Sequence, residues 1–392
     1  MSTSLYLSLS LLMFLEFAIW GAWMPVLAAR LLGPLKMSGK QTGWIYATLP
    51  LACIVSPLVA GQLADQWVSA EWIVGVAHLV GAFLLFIAAR KKTFWGLLVV
   101  MLLYSLCFAA TLPLINSMLF SHVSEAKAQG KVFFWAPVAW ALAGYFLTGW
   151  RWIFKTEEQG RDCLYLAAIL SLFMAAACLI APHTPPAQSG KMAIFEAMKM
   201  LGSNSNFLVF MILSMIAAGM MQFYFLGTAQ FMQDMGISSK NVPASMAIAQ
   251  VIQAVATLLI LGWMTKGVGF KWTLVIGTAC WLLLYIVYVV KKPRWLIIGS
   301  QSMHGFAYVL FIIAGQMYVN KISTDEIRGS MQALVFAATT GVGLFMSTHL
   351  AGITMDTFKK NDKFQWRPIF AVPGLIMLAC ILGFILLFKF KG

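Results

Sequence analysis

Residues 14–23 of this chain read FLEFAIWGAW, with one carboxylate, Glu16, inside a long apolar run. An ionisable side chain at the centre of a membrane helix costs about 2.5–3.5 kcal/mol on insertion scales, which makes it a functional candidate by default. A carboxyl that cycles between charged and neutral forms suits proton coupling. The alternative is a permanently protonated carboxyl that hydrogen-bonds a neighbouring helix. Glu16, Trp20 and Trp23 follow at i, i+4 and i+7, so they share one helical face. That face is either an indole wall beside the acid or, at Trp23, part of an interfacial aromatic belt.

Other polar residues recur at helical spacing. Gln250, Gln253 and Thr257 form one stripe, and Gln301, His304, Tyr308 and Phe311 form another. Amides facing lipid would be costly, so these stripes point into a bundle or a wet cavity. Both solute binding and interhelical hydrogen bonding satisfy that requirement. The second stripe suits a ring-shaped polar solute, and His304, with an unperturbed pKa near 6.5, is a second candidate for proton transfer beside Glu16. Gln222, Tyr224, Phe225 and Gln230 form a further set. Phe133, Pro137 and Trp140 form another, with Pro137 an expected kink. Tyr104, Thr111 and Asn116 lie near Pro113. His78 reads as a histidine satisfied within a core. There is no nucleotide-binding loop, HExxH or nucleophile elbow, so neither ATP-driven transport nor an enzyme is expected, and no cofactor or metal.

These residues must be held by membrane helices. The 392 residues are 61% hydrophobic and only 10% charged, against about 25% charged in soluble domains. Crossing the hydrocarbon takes about 20 apolar residues. On that basis we read twelve spans, near 5–32, 42–65, 71–90, 93–121, 131–150, 162–181, 207–233, 242–265, 270–290, 293–320, 327–354 and 366–389. The fold class is all-α and membrane-embedded. Glu16 is the only acid well inside a span. The six cysteines form no CxxC and read as small apolar residues. The net charge of +14 is scattered in short loops, which argues against a nucleic-acid partner; the lipid bilayer is the expected surrounding.

The longest polar interruption, 182–206, divides the spans six and six. The expected organisation is an N-terminal half (1–181), a central loop with a short amphipathic segment (182–206) and a C-terminal half (207–392). The halves match at an offset of about 200: GQLADQWVSAEW (61–72) lies beside LGWMTKGVGFKW (261–272), and SEAKAQG (124–130) beside STDEIRG (323–329). Parallel six-span halves are the organisation of major facilitator transporters, whose solute site lies near the midplane. GQLAD (61–65) resembles the loop that these proteins carry between spans two and three. The resemblance implies a gating role for Gly61 and Asp65, although QWVSAEW replaces the usual basic cluster.

A narrower resemblance is to bacterial nucleoside:proton symporters. It rests on LEFAIWGAW (15–23), LADQWVSAEWIVGVAHLVGAFLLFIAA (63–89), IRGSMQALVFAATTGVG (327–343) and DKFQWRPIFAVPG (362–374). It implies a solute site drawing on Trp20, Phe133, Trp140, Gln222, Phe225, Gln250, Gln253, His304 and Tyr308. Four positions depart from the family pattern. Phe133 stands for an arginine, Phe225 for an asparagine, Gln253 for a glutamate, and Val309 for an acid. The implied function is proton-coupled transport of a nucleoside or another small polar solute by a monomer. A sugar carrier, a uniporter and a non-transporting receptor are the alternatives. The resemblance also implies cytoplasmic termini in a bacterial inner membrane. On the side that would then be cytoplasmic lie ten of the 27 Lys and Arg, with 17 opposite, which is the reverse of the positive-inside rule.

Overall fold

The computed structural model describes residues 1–156, 159–186, 194–324 and 328–389. Among them, eleven helices are long and apolar enough to cross a membrane. They are Thr3–Leu32, Gly39–Ala64, Ala70–Arg90, Phe94–His122, Ala128–Phe154, Ser205–Asp234, Val242–Leu259, Phe270–Val290, Arg294–Ile322, Met331–Thr357 and Trp366–Leu387. The shorter apolar helix Asp162–Cys178 completes a set of twelve, numbered here as spans one to twelve in chain order, with Asp162–Cys178 as span six.

The contacts divide the chain into two compact units. One comprises Met1–Gly190 with Ser238–Ala247, and the other Lys191–Ile237 with Ile248–Gly392. In the first unit, spans one and five pack together, as do two and four, and three and six. In the second unit, seven packs on eleven and nine on twelve. Gly305 of span ten meets the span-eight backbone at Ala249 and Gln253. The same three pairings thus recur in both units. The central segment contributes a helix at Ile194–Ser203, while 187–193 lies outside the described residues.

Helix starts follow local chemistry. Ser38 and Gln41 form a reciprocal capping box at the start of span two, satisfying two orphan N–H groups. Span five is interrupted at Phe134, three residues before Pro137. Proline has no N–H to donate to the carbonyl four residues back, here that of Phe133. Spans ten and eleven each contain a π turn, at Tyr308–Ile313 and Ala337–Gly343, a local geometry frequent at functional sites.

Gly21 explains part of the WGAW motif. A Cβ there would lie 2.7 Å from Trp140 Cγ and 2.8 Å from Trp140 Cα, so only glycine lets spans one and five approach this closely.

Candidate functional site

In the first unit, three spans converge on Glu16, whose side chain is 1% exposed. His78, from span three, places Nε2 2.9 Å from Glu16 Oε2. Thr111, from span four, donates to Glu16 Oε1 at 2.7 Å, and its hydroxyl is also 2.7 Å from the Phe108 carbonyl. A threonine hydroxyl carries one proton. With Glu16 ionised, that proton serves Oε1. With Glu16 protonated, the carboxyl O–H can donate to Thr111 Oγ1 while the threonine proton turns to Phe108. The site therefore satisfies either protonation state without moving the backbone.

Aromatic rings pack beside this cluster. Trp20 lies 5.3 Å from Trp140 and 5.9 Å from Phe108, and the His78 ring meets Phe108 edge-on at 6.0 Å. Trp23 donates to the Tyr104 hydroxyl at 3.2 Å and is 1% exposed, so it belongs to the interior and not to an aromatic belt. Phe133 sits just before the break in span five and packs against Phe120 at 6.0 Å. Gly61 opens onto free space, and Asp65 ends the same helical run, its side chain outside the described part.

In the second unit, His304 stacks on Tyr224 at 4.0 Å and 9°, with Phe225 edge-on at 5.9 Å. Trp281 Nε1 lies 3.2 Å from His304 Nδ1. An indole N–H can only donate, so Nδ1 accepts and the imidazole is neutral with its proton on Nε2. Gln301 donates to the Tyr288 hydroxyl at 2.7 Å. Gln222 is fully buried, and neither its amide oxygen nor its amide nitrogen has a hydrogen-bond partner. Gln250 is buried and Gln253 half-buried one turn later; Thr257 turns its hydroxyl back to the Gln253 carbonyl at 2.7 Å. Tyr308 is half-buried and opens the π turn of span ten.

The residues predicted together thus fall into two sets. Trp20 packs on Trp140 in one unit, and Phe225 packs on His304 in the other. Within the first unit the residue that meets Glu16 is His78. Reading the sequence missed His78 and Thr111 as partners of the acid. It also missed Trp281 and Tyr288. One signal was available: a histidine fully inside an apolar helix needs a polar partner, and Glu16 was the only mid-span acid. A buried, bidentate ion pair between Arg151 and Asp162, with N···O distances of 2.6 and 2.8 Å, was likewise unforeseen.

The profile of the nucleoside H+ symporters matches residues 1–392. The chain belongs to the nucleoside H+ symporter family. It is therefore a membrane transporter and not an enzyme. The chain is 26% identical to the nucleoside permease NupG of Escherichia coli, over 99% of this chain and 97% of that protein. It is 25% identical to the xanthosine permease of the same organism, over 99% and 96%. A crystal structure of the nucleoside transporter NupG superposes with a TM-score of 0.88 at 24% identity, covering 98% of this chain and all of that one. This confirms the twelve-span major facilitator fold of the symporter. The family and its bacterial relatives make it an integral inner-membrane protein.

Proposed function

We propose that this symporter accumulates a nucleoside-class solute, with Glu16 as its proton-binding group. The observation that carries this is the Glu16–His78–Thr111 cluster, a buried acid whose partners accommodate both of its protonation states. The His78–Glu16 hydrogen bond contains a proton, carried on Nε2 when the carboxyl is ionised. Gain of one more proton neutralises the carboxylate. A buried carboxylate changing charge this way alters the electrostatic cost of neighbouring helix positions, which is how proton binding can bias alternating access.

The solute reading rests on the second unit. Gln222 carries a donor and an acceptor with no partner among the described residues, and Tyr224, Phe225, His304 and Trp281 pack into one aromatic cluster in the same unit. Such a combination suits a nucleobase, which stacks and hydrogen-bonds by its edges. Trp20, Phe133 and Trp140 in the first unit, and Gln250, Gln253 and Tyr308 in the second, are each also assigned to solute contact. His304 is assigned to the solute side, because protonating Nδ1 would oppose the Trp281 N–H. The lost charges at Phe133 and Gln253 favour recognition by stacking and amide contacts over ion pairing. In this proposal both termini lie in the cytoplasm, Gly61 and Asp65, near the end of the span-two helix, act in gating the cycle, and the transporter works as a monomer.

Proteoliposomes containing the purified protein test the reading. Radiolabelled nucleoside should accumulate when the outside of the vesicles is more acid than the lumen and should exchange by counterflow without such a gradient. Counterflow that an imposed gradient does not change would make the protein a uniporter.

A further inference from the structure

A long groove on the first unit has no part in the readings above. Spans five and six both pack on span one but scarcely touch each other, so span one forms a floor between two walls. The groove holds about 770 Å³ and is lined by Leu142, Phe146, Leu166, Ile169 and Phe173, with Arg161 at its mouth. Phe146 and Phe173 are more than half exposed, so the trough is open along its side.

Its dimensions match one bilayer leaflet. Leu142 lies thirteen residues before Lys155, and Phe173 eleven residues after Asp162. At 1.5 Å per helical residue the trough reaches about 17–20 Å from the loop. Half of the hydrocarbon core is about 15 Å thick. The polar end is also built. Arg151 and Asp162 satisfy each other. Among the described residues, the buried Nε of Arg161 has no partner. Lys155 and Thr156 line the same mouth. Glu157 and Glu158 of this loop lie outside the described residues.

We propose that this groove holds one phospholipid of the adjoining leaflet, its phosphate on Arg161 and one acyl chain in the trough. A guanidinium matches phosphate oxygens in charge and fork geometry. Basic pockets between membrane helices take lipid headgroups for the same reason.

Native mass spectrometry of the full chain in detergent tests the site. The probes are dioleoyl phosphatidylglycerol and dioleoyl phosphatidylethanolamine, with dioleoylglycerol as the lipid lacking phosphate. The expected result is one phospholipid per protein, retained roughly tenfold more tightly than dioleoylglycerol, as a charge-assisted hydrogen bond implies. Arg161→Gln should remove that preference, and Arg161→Lys should restore part of it. Ile169→Trp, at an exposed position that folding tolerates, should displace both lipids by filling the trough. Equal retention of dioleoylglycerol, undiminished binding by Arg161→Gln, or occupancy rising without a plateau would each overturn the proposal. Inorganic phosphate displacing the phospholipid while Ile169→Trp does not would reduce the site to an anion contact and overturn it as well.

Discussion

The Glu16 cluster and the His304 cluster are built from similar residues to opposite electrostatic ends. Each puts a histidine in a fully buried, aromatic setting. In the first unit the histidine faces a carboxylate, so the pair can hold one proton or two. In the second it faces an indole N–H, which only donates, so the imidazole stays neutral. The acid is fully hydrogen-bonded within the chain, whereas Gln222 is not. A satisfied titratable group suits an internal switch. An unsatisfied neutral amide suits a visiting partner. The contrast teaches that a histidine's function here is set by the group opposite it and not by its burial.

The strongest way to break this division is Glu16→Gln. Glutamine keeps the volume and can still hydrogen-bond Thr111 and His78, but it cannot release a proton. Gradient-driven accumulation should fall to the level of protein-free liposomes, while counterflow persists. Accumulation that survives would move the proton site elsewhere.

Exchanging the two histidines sharpens the contrast. His78→Gln should lower the ratio of gradient-driven uptake to counterflow by about tenfold, the scale of a lost hydrogen bond to a charged group. His304→Gln should leave that ratio unchanged and raise the solute concentration needed for half-maximal counterflow. The opposite pattern would reverse the assignment.

Gln222→Met separates function from stability. The lost amide contact should weaken solute binding about three- to tenfold, as expected for a net 0.5–1.5 kcal/mol hydrogen bond. The same change removes an unpaired buried amide, whose burial costs roughly 1–3 kcal/mol, so the apo protein should melt at a higher temperature. Weaker binding with a lower Tm would instead mark Gln222 as a structural residue.

Much of this was legible in the sequence, for physical reasons. Apolar runs of about 20 residues have few fates, so the twelve spans could be counted. Glu16 stood out because the rest of span one is so apolar. Its partners did not, because helical periodicity tells which residues share a face but not which helix that face meets. His78 was read as a core histidine because span three is peripheral in this fold. Trp23 was ambiguous between belt and interior, and Tyr104, which receives its N–H, lies 81 residues away. The break at Phe134 was signalled by Pro137, whereas the π turns in spans ten and eleven have no comparably simple residue signature. The groove beside span six was invisible because it depends on two helices failing to touch.

The smallest expected effect concerns Thr111, and it tests the rotor directly. Thr111→Val is nearly isosteric but removes the hydroxyl that serves both Glu16 and the Phe108 carbonyl. It should cost about 1 kcal/mol of stability, a typical net hydrogen bond. Thr111→Ser keeps the hydroxyl and gives up only a methyl group, about 0.8 kcal/mol of buried apolar surface. The two variants should therefore melt at similar temperatures, yet only Thr111→Val should slow gradient-driven uptake, by a few-fold relative to counterflow. If both slow uptake equally, packing around the acid matters and the rotating hydroxyl does not. If only valine does, the proton on Thr111 is what lets the site hold Glu16 in either charge state.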